Sequence, residues 1–249
     1  SAVQLVTRLI SAESELPADK LKKGNLEDYE WEQLNSKISD LIDAPILIDD
    51  TPALSIFELR AKCRRLRAQH DIQMVVIDYI QLMSVSNSGA GNREQEISQI
   101  SRSLKSLAKE LDIPIIALSQ LNRSVEMRSG NKRPQLSELR ESGAIEQDAD
   151  LVLFIHRPEY YGIDVDEEGN SLKGIAEIIV AKHRNGPTGD IQLKFVREYA
   201  KFVDLDDTLA MVEDDENGFT ISSKMNQEAG VIANNDNGMN NGFDEPAPF

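Results

Sequence analysis

The chain has 249 residues, enough for one large domain or two small ones with a sizeable core. Its 40% hydrophobic and 28% charged residues are typical of a globular protein. Cys63 is the only cysteine, which excludes an internal disulfide and suits a reducing cytosol. No Cys/His cluster has zinc-site spacing, and no apolar run approaches the roughly 20 residues of a membrane span. We therefore expect a cytoplasmic protein with no membrane contact.

The net charge of −16 is distributed unevenly along the chain. Residues 204–249 contain eleven acidic residues and one lysine, Lys224, which leaves a net charge of −6 for residues 1–203. A mildly acidic body can still present a local basic track, so the net charge does not exclude nucleic acid. Residues 206–249 are rich in Asn, Asp and Gly and are predicted to be a disordered acidic tail beside a domain over residues 1–205.

Helical spacing of apolar residues dominates the first seventy residues. The spacing predicts helices over the opening thirteen residues, over 28–42 and over 55–69, with a polar connection at 14–27 and a short strand at 44–50. Ser55 and Glu58 form the capping box that opens the third helix. That helix carries a basic run, which we interpret as a solvated face; a subunit or nucleic-acid contact is the alternative. The run consists of Arg60, Lys62, Arg64, Arg65 and Arg67.

From residue 72 onward, apolar strands alternate with helices. The segment "IQMVVIDYIQLMS" predicts a strand at 74–78 that is covered on both faces, and a long amphipathic helix follows a cap at Asn92. A short helix around 136–140 is expected to break at Ser142-Gly143 and to resume near "AIEQ". The remaining strands are predicted at 113–121, 151–156, 175–183, 190–196 and 201–205.

This element order predicts the α/β fold class. Alternating helices and strands imply βαβ units and therefore a mostly parallel, twisted sheet with flanking helices. The last strands follow one another closely, so we expect them to extend the sheet antiparallel at one edge.

One carboxylate, Asp78, ends the strand at 74–78. Ligands of parallel sheets collect at the carboxyl ends of the strands, where an aspartate can hold the water shell of a magnesium ion. The alternative is an aspartate that only caps a turn. This stretch alone leaves both interpretations open.

Four separated segments resemble the C-terminal motor domain of the DnaB-type bacterial replicative helicases. They are "VVIDYIQLM", "REQEISQISRSLKSLAKELDIPIIALSQLNRSVE", "LSELRESGAIEQDADLVLFIHRPEYY" and "IIVAKHRNGPTGDIQLKF", in the family's order. The resemblance implies a RecA-like P-loop NTPase core in a homo-hexameric ring that encircles single-stranded DNA. It also implies ATP and Mg²⁺ as cofactors, primase and a helicase loader as partners, and a cytoplasmic, nucleoid-associated location in bacteria.

The resemblance assigns catalytic roles to four residues. Asp78 matches the Walker B position, which holds Mg²⁺ through water, and Gln120 at the end of the next strand would sense the γ-phosphate; a plain turn amide is the alternative for Gln120. Lys182 and Arg184 point to one face of a strand because they are two residues apart. In the family such a pair reaches into the neighbouring subunit's nucleotide site. Exposed strand cations are the alternative.

The segment "RESGAIEQDAD" resembles the family's DNA-binding loop. Arg140 would contact a phosphate, Glu141 would orient the arginine or offer its backbone amide, and Gly143 would let the backbone approach DNA closely. The alternative is a helix C-cap at Gly143 beside an exposed arginine. Asn122 and Arg123 lie in a second segment similar to a DNA-facing loop.

The sequence departs from the family in one respect: the dipeptide Gly-Lys is absent, so it has no G-x-x-x-x-G-K-[ST] loop. We expect a fragment that starts after that loop and after the catalytic glutamate, without the family's N-terminal domain. Alone it is predicted neither to bind ATP tightly nor to hydrolyse it. The alternatives are a RecA-like ATPase of the recombinase or circadian-clock type, which "RESGAIEQDAD" and "KHRNGPTG" disfavour, and a non-catalytic binding module.

Overall fold

The computed structural model describes residues 1–85, 93–122, 127–128 and 132–205, without the side chains of residues 140–142. The predicted acidic tail at 206–249 and the predicted cap at Asn92 therefore lie outside the described residues. So does Arg123.

Three helices open the chain: α1 (Ala2–Ser14), α2 (Ala18–Lys23) and α3 (Asp28–Ile42). The predicted positions of α1 and α3 are confirmed, whereas α2 occupies the segment predicted to be a polar connection. Two contacts hold this region together. The Nζ of Lys20 on α2 lies 2.6 Å from Oε1 of the buried Glu30 on α3, and the Gln33 amide donates to the carbonyl of Ser14 at 2.7 Å.

The strand predicted over 44–50 is not formed. Its apolar residues Ile46, Leu47 and Ile48 are 38–50% exposed, and no strand of the described residues pairs with them. A strand needs a neighbour to satisfy its N–H and C=O groups. The prediction was wrong because the apolar run has no such partner among these residues.

Helix α4 (Ile56–His70) begins at the predicted capping box. Ser55 N donates to Oε2 of Glu58 at 3.0 Å, and Glu58 N donates to the Ser55 hydroxyl at 3.2 Å. The basic run of this helix is largely neutralised within the chain. Arg60 and Arg64 both pair with Glu110 of the later helix α5 (Arg93–Leu111), which ties the two helices together.

A parallel strand pair lies beside these two helices. Strand β1 (Val75–Ile77) pairs with β2 (Ile115–Ala117), so that Val75 lies opposite Ile115, and α5 forms the crossover between them. A parallel pair requires such a crossover because its two strands run in the same direction. The largest buried cluster fills the space between α4, α5 and the segment after β1. Its members are Ile56, Leu59, Cys63, Ile80, Met83, Ile97, Ile100, Leu104 and Leu107.

Four antiparallel strands form a second sheet, in chain order. They are β3 (Leu151–His156), β4 (Ile175–His183), β5 (Gly189–Val196) and β6 (Lys201–Val203). A 3₁₀-helix (Leu136–Ser142) and helix α6 (Gly143–Asp148) precede β3. A smaller buried cluster joins the 3₁₀-helix to this sheet and consists of Leu139, Val152, Phe154 and Ile179.

The predicted α/β class is confirmed, but fewer strands pair parallel, and more pair antiparallel, than the sequence predicted. Only β1 and β2 pair parallel among the strands of the described residues, and the antiparallel strands form their own hydrogen-bonded sheet rather than the edge of the first. Short connections join β4 to β5 and β5 to β6, and short connections favour antiparallel pairing.

Each sheet has one exposed apolar face. Val75 and Ile77 pack against the larger cluster, but Val76 between them is 57% exposed, and Ile116 on β2 is 48% exposed. Ile155 on β3 is 59% exposed. The prediction that β1 is covered on both faces is therefore wrong for the described residues. Within those residues, no helix is both long enough and apolar enough to cross a membrane.

Candidate active site

Asp78 and Gln120 follow two neighbouring parallel strands at the same edge. The register places Ile77 beside Ala117, and the pairing continues past the strands, because Ile80 N donates to the Leu118 carbonyl at 2.9 Å. The carboxyl ends of β1 and β2 therefore lie together. The sequence predicted Asp78 at the end of a strand, and the family resemblance added Gln120 at the end of the next strand.

The Asp78 side chain is exposed, and it makes no hydrogen bond or ion pair within the described part of the chain. An aspartate that caps a turn would accept a hydrogen bond from a backbone N–H nearby. Since Asp78 accepts none from the described residues, it caps no turn among them, and its carboxylate is exposed at the strand end.

Gln81 is a site residue that sequence reasoning missed. Its amide donates to the Ser119 hydroxyl at 2.9 Å and to the Gln120 carbonyl at 3.2 Å, and its Oε1 accepts from Gln120 N at 3.3 Å. Gln81 therefore fixes the backbone of Gln120, whose own side chain remains exposed. The available signal was a lone amide in the otherwise apolar stretch "YIQLM", three residues after Asp78.

The loop after β2 contacts the segment predicted to face DNA. Asn122 N donates to the carbonyl of Glu138 at 3.4 Å, which joins the loop to the 3₁₀-helix. Glu138 is fixed in turn by Arg128, whose Nη1 lies 3.2 Å from its carboxylate, and by the backbone N–H of Gln135 at 2.7 Å. A continuous set of contacts thus leads from Gln120 to the 3₁₀-helix.

Arg140 and Glu141 belong to that 3₁₀-helix. The structure describes their backbone but not their side chains. Gly143 is the C-cap of the 3₁₀-helix, as the alternative proposed, but its φ of −51° is right-handed and it also begins α6. Apart from its chain neighbours and the backbone of its own helix, a Cβ at Gly143 would meet no atom of the described residues within 4 Å. The packing of the described residues therefore does not require a glycine at this position.

Lys182 and Arg184 lie at the end of β4, directly after a β-bulge. Val152 pairs with Lys182 and Leu153 with Val180, so one extra residue is accommodated in β4 at this point. Bulges re-aim the side chains that follow them. Here Lys182 donates to the carbonyl of Glu146, and Arg184 Nη2 donates to the carbonyl of Gln147 at 3.1 Å. The prediction that both cations project together is confirmed, and both contact the end of α6.

Asp150 binds two cations beside this strand end. Its carboxylate lies 2.9 Å from Arg184 Nη1 and also accepts from Lys105 of α5. The hydrogen bond from Lys105 and, to a smaller extent, the charge of Arg184 hold the pKa of Asp150 below its ordinary value. Asp150 is therefore an ionised acceptor at neutral pH.

The fit of a metal ion at this site depends on Asp78. No group of three His, Cys, Asp or Glu side chains in the described residues could enclose a metal ion. Mg²⁺ does not need such a cage, since it usually keeps several waters and binds one or two carboxylates together with substrate phosphates. A single exposed carboxylate at a strand end fits a contact of this kind through water.

The sequence is similar to curated replicative helicases over most of its length. It is 51% identical over 206 residues to the replicative DNA helicase DnaB of Geobacillus stearothermophilus, covering 83% of this chain and 44% of the relative. It is 50% identical over 205 residues to the replicative DNA helicase DnaC of Bacillus subtilis (strain 168), covering 82% and 44%. The chain thus spans less than half the length of these relatives.

Solved structures and a family model point to the same group. A solved ATPase domain matches with a TM-score of 0.73 and 38% identity, over 82% of this chain and 71% of that one. A DnaB-like replicative helicase, solved in a study of its interactions with primase, matches with a TM-score of 0.71 and 39% identity, over 80% and 47%. These neighbours confirm the RecA-like fold. The model of the DnaB-like helicase C-terminal domain matches residues 1–204, and the chain belongs to that family.

Proposed function

We propose that this chain is part of the motor of a replicative DNA helicase. In this proposal, a homo-hexameric ring hydrolyses ATP between adjacent subunits and uses the energy to translocate on single-stranded DNA and unwind the duplex. The observation that carries the proposal is the separation of charges. The Asp78 carboxylate has no cation partner among the described residues, whereas Lys182 and Arg184 are held at the end of another sheet. Such an arrangement suits a site completed by a second subunit.

At the nucleotide, each residue has a positioning or electrostatic task. Asp78 would orient the water shell of Mg²⁺, and the metal, when bound, would neutralise charge on the phosphates. The Gln120 amide would hydrogen-bond the γ-phosphate. Because Gln81 fixes the backbone of Gln120, a shift of that amide would pass to the loop that bonds to Glu138. Lys182 and Arg184 would stabilise the phosphates of the adjoining subunit.

At the DNA, the 3₁₀-helix and the start of α6 would contact the phosphate backbone. Arg140 supplies the charge, Glu141 orients it or offers its backbone amide, and Gly143 leaves room for a phosphate. Asn122 and Arg123 would contribute from the neighbouring loop. Phosphate contacts of this type carry no sequence information, which suits a motor that crosses every sequence.

The rest of the proposal concerns the whole protein. Residues 1–205 would form the motor domain and residues 206–249 a separate acidic tail, in a cytoplasmic, nucleoid-associated protein that works with primase and a helicase loader. The chain by itself would not hydrolyse ATP, because its sequence has no phosphate-binding lysine loop.

Mixed rings of the complete helicase test the assignment across subunits. Rings of Arg184→Ala subunits should lose about 10³-fold or more in hydrolysis, as should rings of the complete helicase in which the lysine of the family's phosphate-binding loop is replaced by alanine. Mixing the two should restore hydrolysis, because some interfaces then combine an intact loop with an intact Arg184. Arg197→Ala is the matched control, since Arg197 directly follows β5 and pairs with Glu159 outside the candidate site. No recovery in mixed rings would refute action across subunits.

A further inference from the structure

Asp150 lies where three elements meet. It follows α6 and directly precedes β3. Its carboxylate accepts from Lys105 of α5 and from Arg184 at the end of β4, and its carbonyl accepts from Arg184 N at 2.8 Å. Arg184 is therefore held by both the side chain and the backbone of a single residue.

The same strand end is bonded to α6 through two further contacts. The Arg184 guanidinium donates to the Gln147 carbonyl, and Lys182 donates to the Glu146 carbonyl. Helix α6 continues without a gap from the 3₁₀-helix that carries Arg140. A guanidinium that leaves this position therefore removes contacts from the helix next to the proposed DNA-binding segment.

The contact between Arg184 and Asp150 has the features of a reversible one. The side chains are 46% and 56% exposed, and exposed ion pairs are weak because water screens them. Lys105 also pairs with Asp150, so the carboxylate keeps a cation when Arg184 leaves. The several negative charges of a nucleoside triphosphate can therefore compete with this single carboxylate for the guanidinium.

We propose that Asp150 is a positioning residue that holds Arg184 against α6 until a triphosphate on the adjoining subunit takes up the guanidinium. The inference rests on the proposed function, in which Arg184 acts across the subunit interface. DNA that moves α6 would weaken the same contacts and free Arg184 for hydrolysis. Because nucleotide and DNA would both act on the same set of bonds, thermodynamic linkage requires that each changes the binding affinity of the other by the same factor.

Asp150→Asn in the complete helicase tests the inference, because it removes the charge but keeps the shape of the side chain. Hydrolysis without DNA should rise about two- to fivefold, the range expected when an exposed ion pair is lost. The rate at saturating single-stranded DNA should stay within about twofold, since Arg184 is then already released. The stimulation by DNA therefore falls. A purely structural role would instead lower both rates together.

Three further variants make the outcome decisive. Asp71→Asn is the matched control, since it removes an exposed ion pair with Arg67 at the end of α4 and should change neither rate. Lys105→Ala leaves Asp150 to Arg184 alone and should lower the rate without DNA. In the Asp150→Asn, Arg184→Ala double variant the gain should disappear.

Two results would overturn the role of Asp150: equal losses with and without DNA in Asp150→Asn, or a gain that survives in the double variant. A failure of the proposed function has a different signature. In that case Arg184→Ala alone would leave DNA-stimulated hydrolysis intact.

Discussion

The two strand ends that carry the candidate catalytic residues differ in how their side chains are held. At the edge formed by β1 and β2, Gln81 fixes the backbone around Gln120, but the Asp78 carboxylate has no partner in the described residues. At the end of β4, Lys182 and Arg184 are bonded to α6 and, for Arg184, to Asp150. Asp78 can therefore contact a ligand without losing a protein contact. Lys182 and Arg184 must first give up their bonds to α6 and Asp150.

The two regions also differ in the buried clusters beneath them. Leu107 belongs to the nine-residue cluster under the parallel pair and is 1% exposed. Leu139 belongs to the four-residue cluster behind the antiparallel sheet and is 7% exposed. The parallel region should therefore be the more rigid one, and the antiparallel region the one that yields more easily.

A large loss of activity is expected from a substitution at the strand end formed by β1 and β2. Asp78→Asn in the complete helicase should lower the rate of ATP hydrolysis by about 10²–10³-fold, because it removes a preorganised charge next to the transferred phosphate. Single-turnover hydrolysis with single-stranded DNA measures this, and nucleotide binding is followed separately. Near-normal hydrolysis by Asp78→Asn would show that the carboxylate has no role in catalysis.

Two matched core substitutions test the difference in rigidity. Leu107→Ala should lower the free energy of unfolding by about 3–5 kcal/mol and Leu139→Ala by about 2–3 kcal/mol, since a better-packed site leaves a larger cavity. Urea unfolding of the chain, followed by circular dichroism, provides both values. Because the chemistry of the two substitutions is identical, equal losses would contradict the proposed difference between the two clusters.

The smallest effect concerns pH and is confined to the antiparallel region. His156 on β3 is buried and stacks on Tyr161, and its burial lowers the pKa of the imidazole. Below its ordinary value of 6.5, the unfolded chain binds a proton that the folded chain resists, so stability falls as the pH decreases through that value.

Substitution of this histidine should flatten the dependence. His156→Phe should show a smaller decrease in unfolding free energy between about pH 7 and 5.5 than the parent chain. His70→Asn, at the exposed end of α4, is the control and should keep the parent's profile. An unchanged slope in His156→Phe would assign the dependence to other groups.

The sequence predicted those elements whose own residues determine them. The limits of β3 and β4 were predicted to the residue, because each is rich in apolar, β-branched residues and begins directly after a polar or turn residue, Asp150 or Gly174. Helix α2 was missed since it has only six residues, ADKLKK, and depends on the contact between Lys20 and Glu30. The strand at 44–50 was predicted in error because an apolar run does not reveal whether a partner strand exists.

For the candidate site, the positions of the residues along the strands were predictable, but their contacts were not. The strand pattern placed Asp78 at a strand end, the family resemblance added Gln120 after the next strand, and the spacing of Lys182 and Arg184 placed those two on one face. Their partners were not predictable from local patterns. Asp150 lies 34 residues before Arg184 in the sequence, and only the bulge in β4 and the pairing with β3 bring the two together.

The conformation of Gly143 determines whether alanine could replace it. Alanine is favoured over glycine within a helix by roughly 0.5–1 kcal/mol. No described atom of this chain stands in the way of the additional methyl group, and the backbone at this residue is right-handed. Folding alone would therefore tolerate alanine here. If Gly143→Ala folds normally but binds DNA more weakly, the added methyl group must collide with the DNA rather than with the protein.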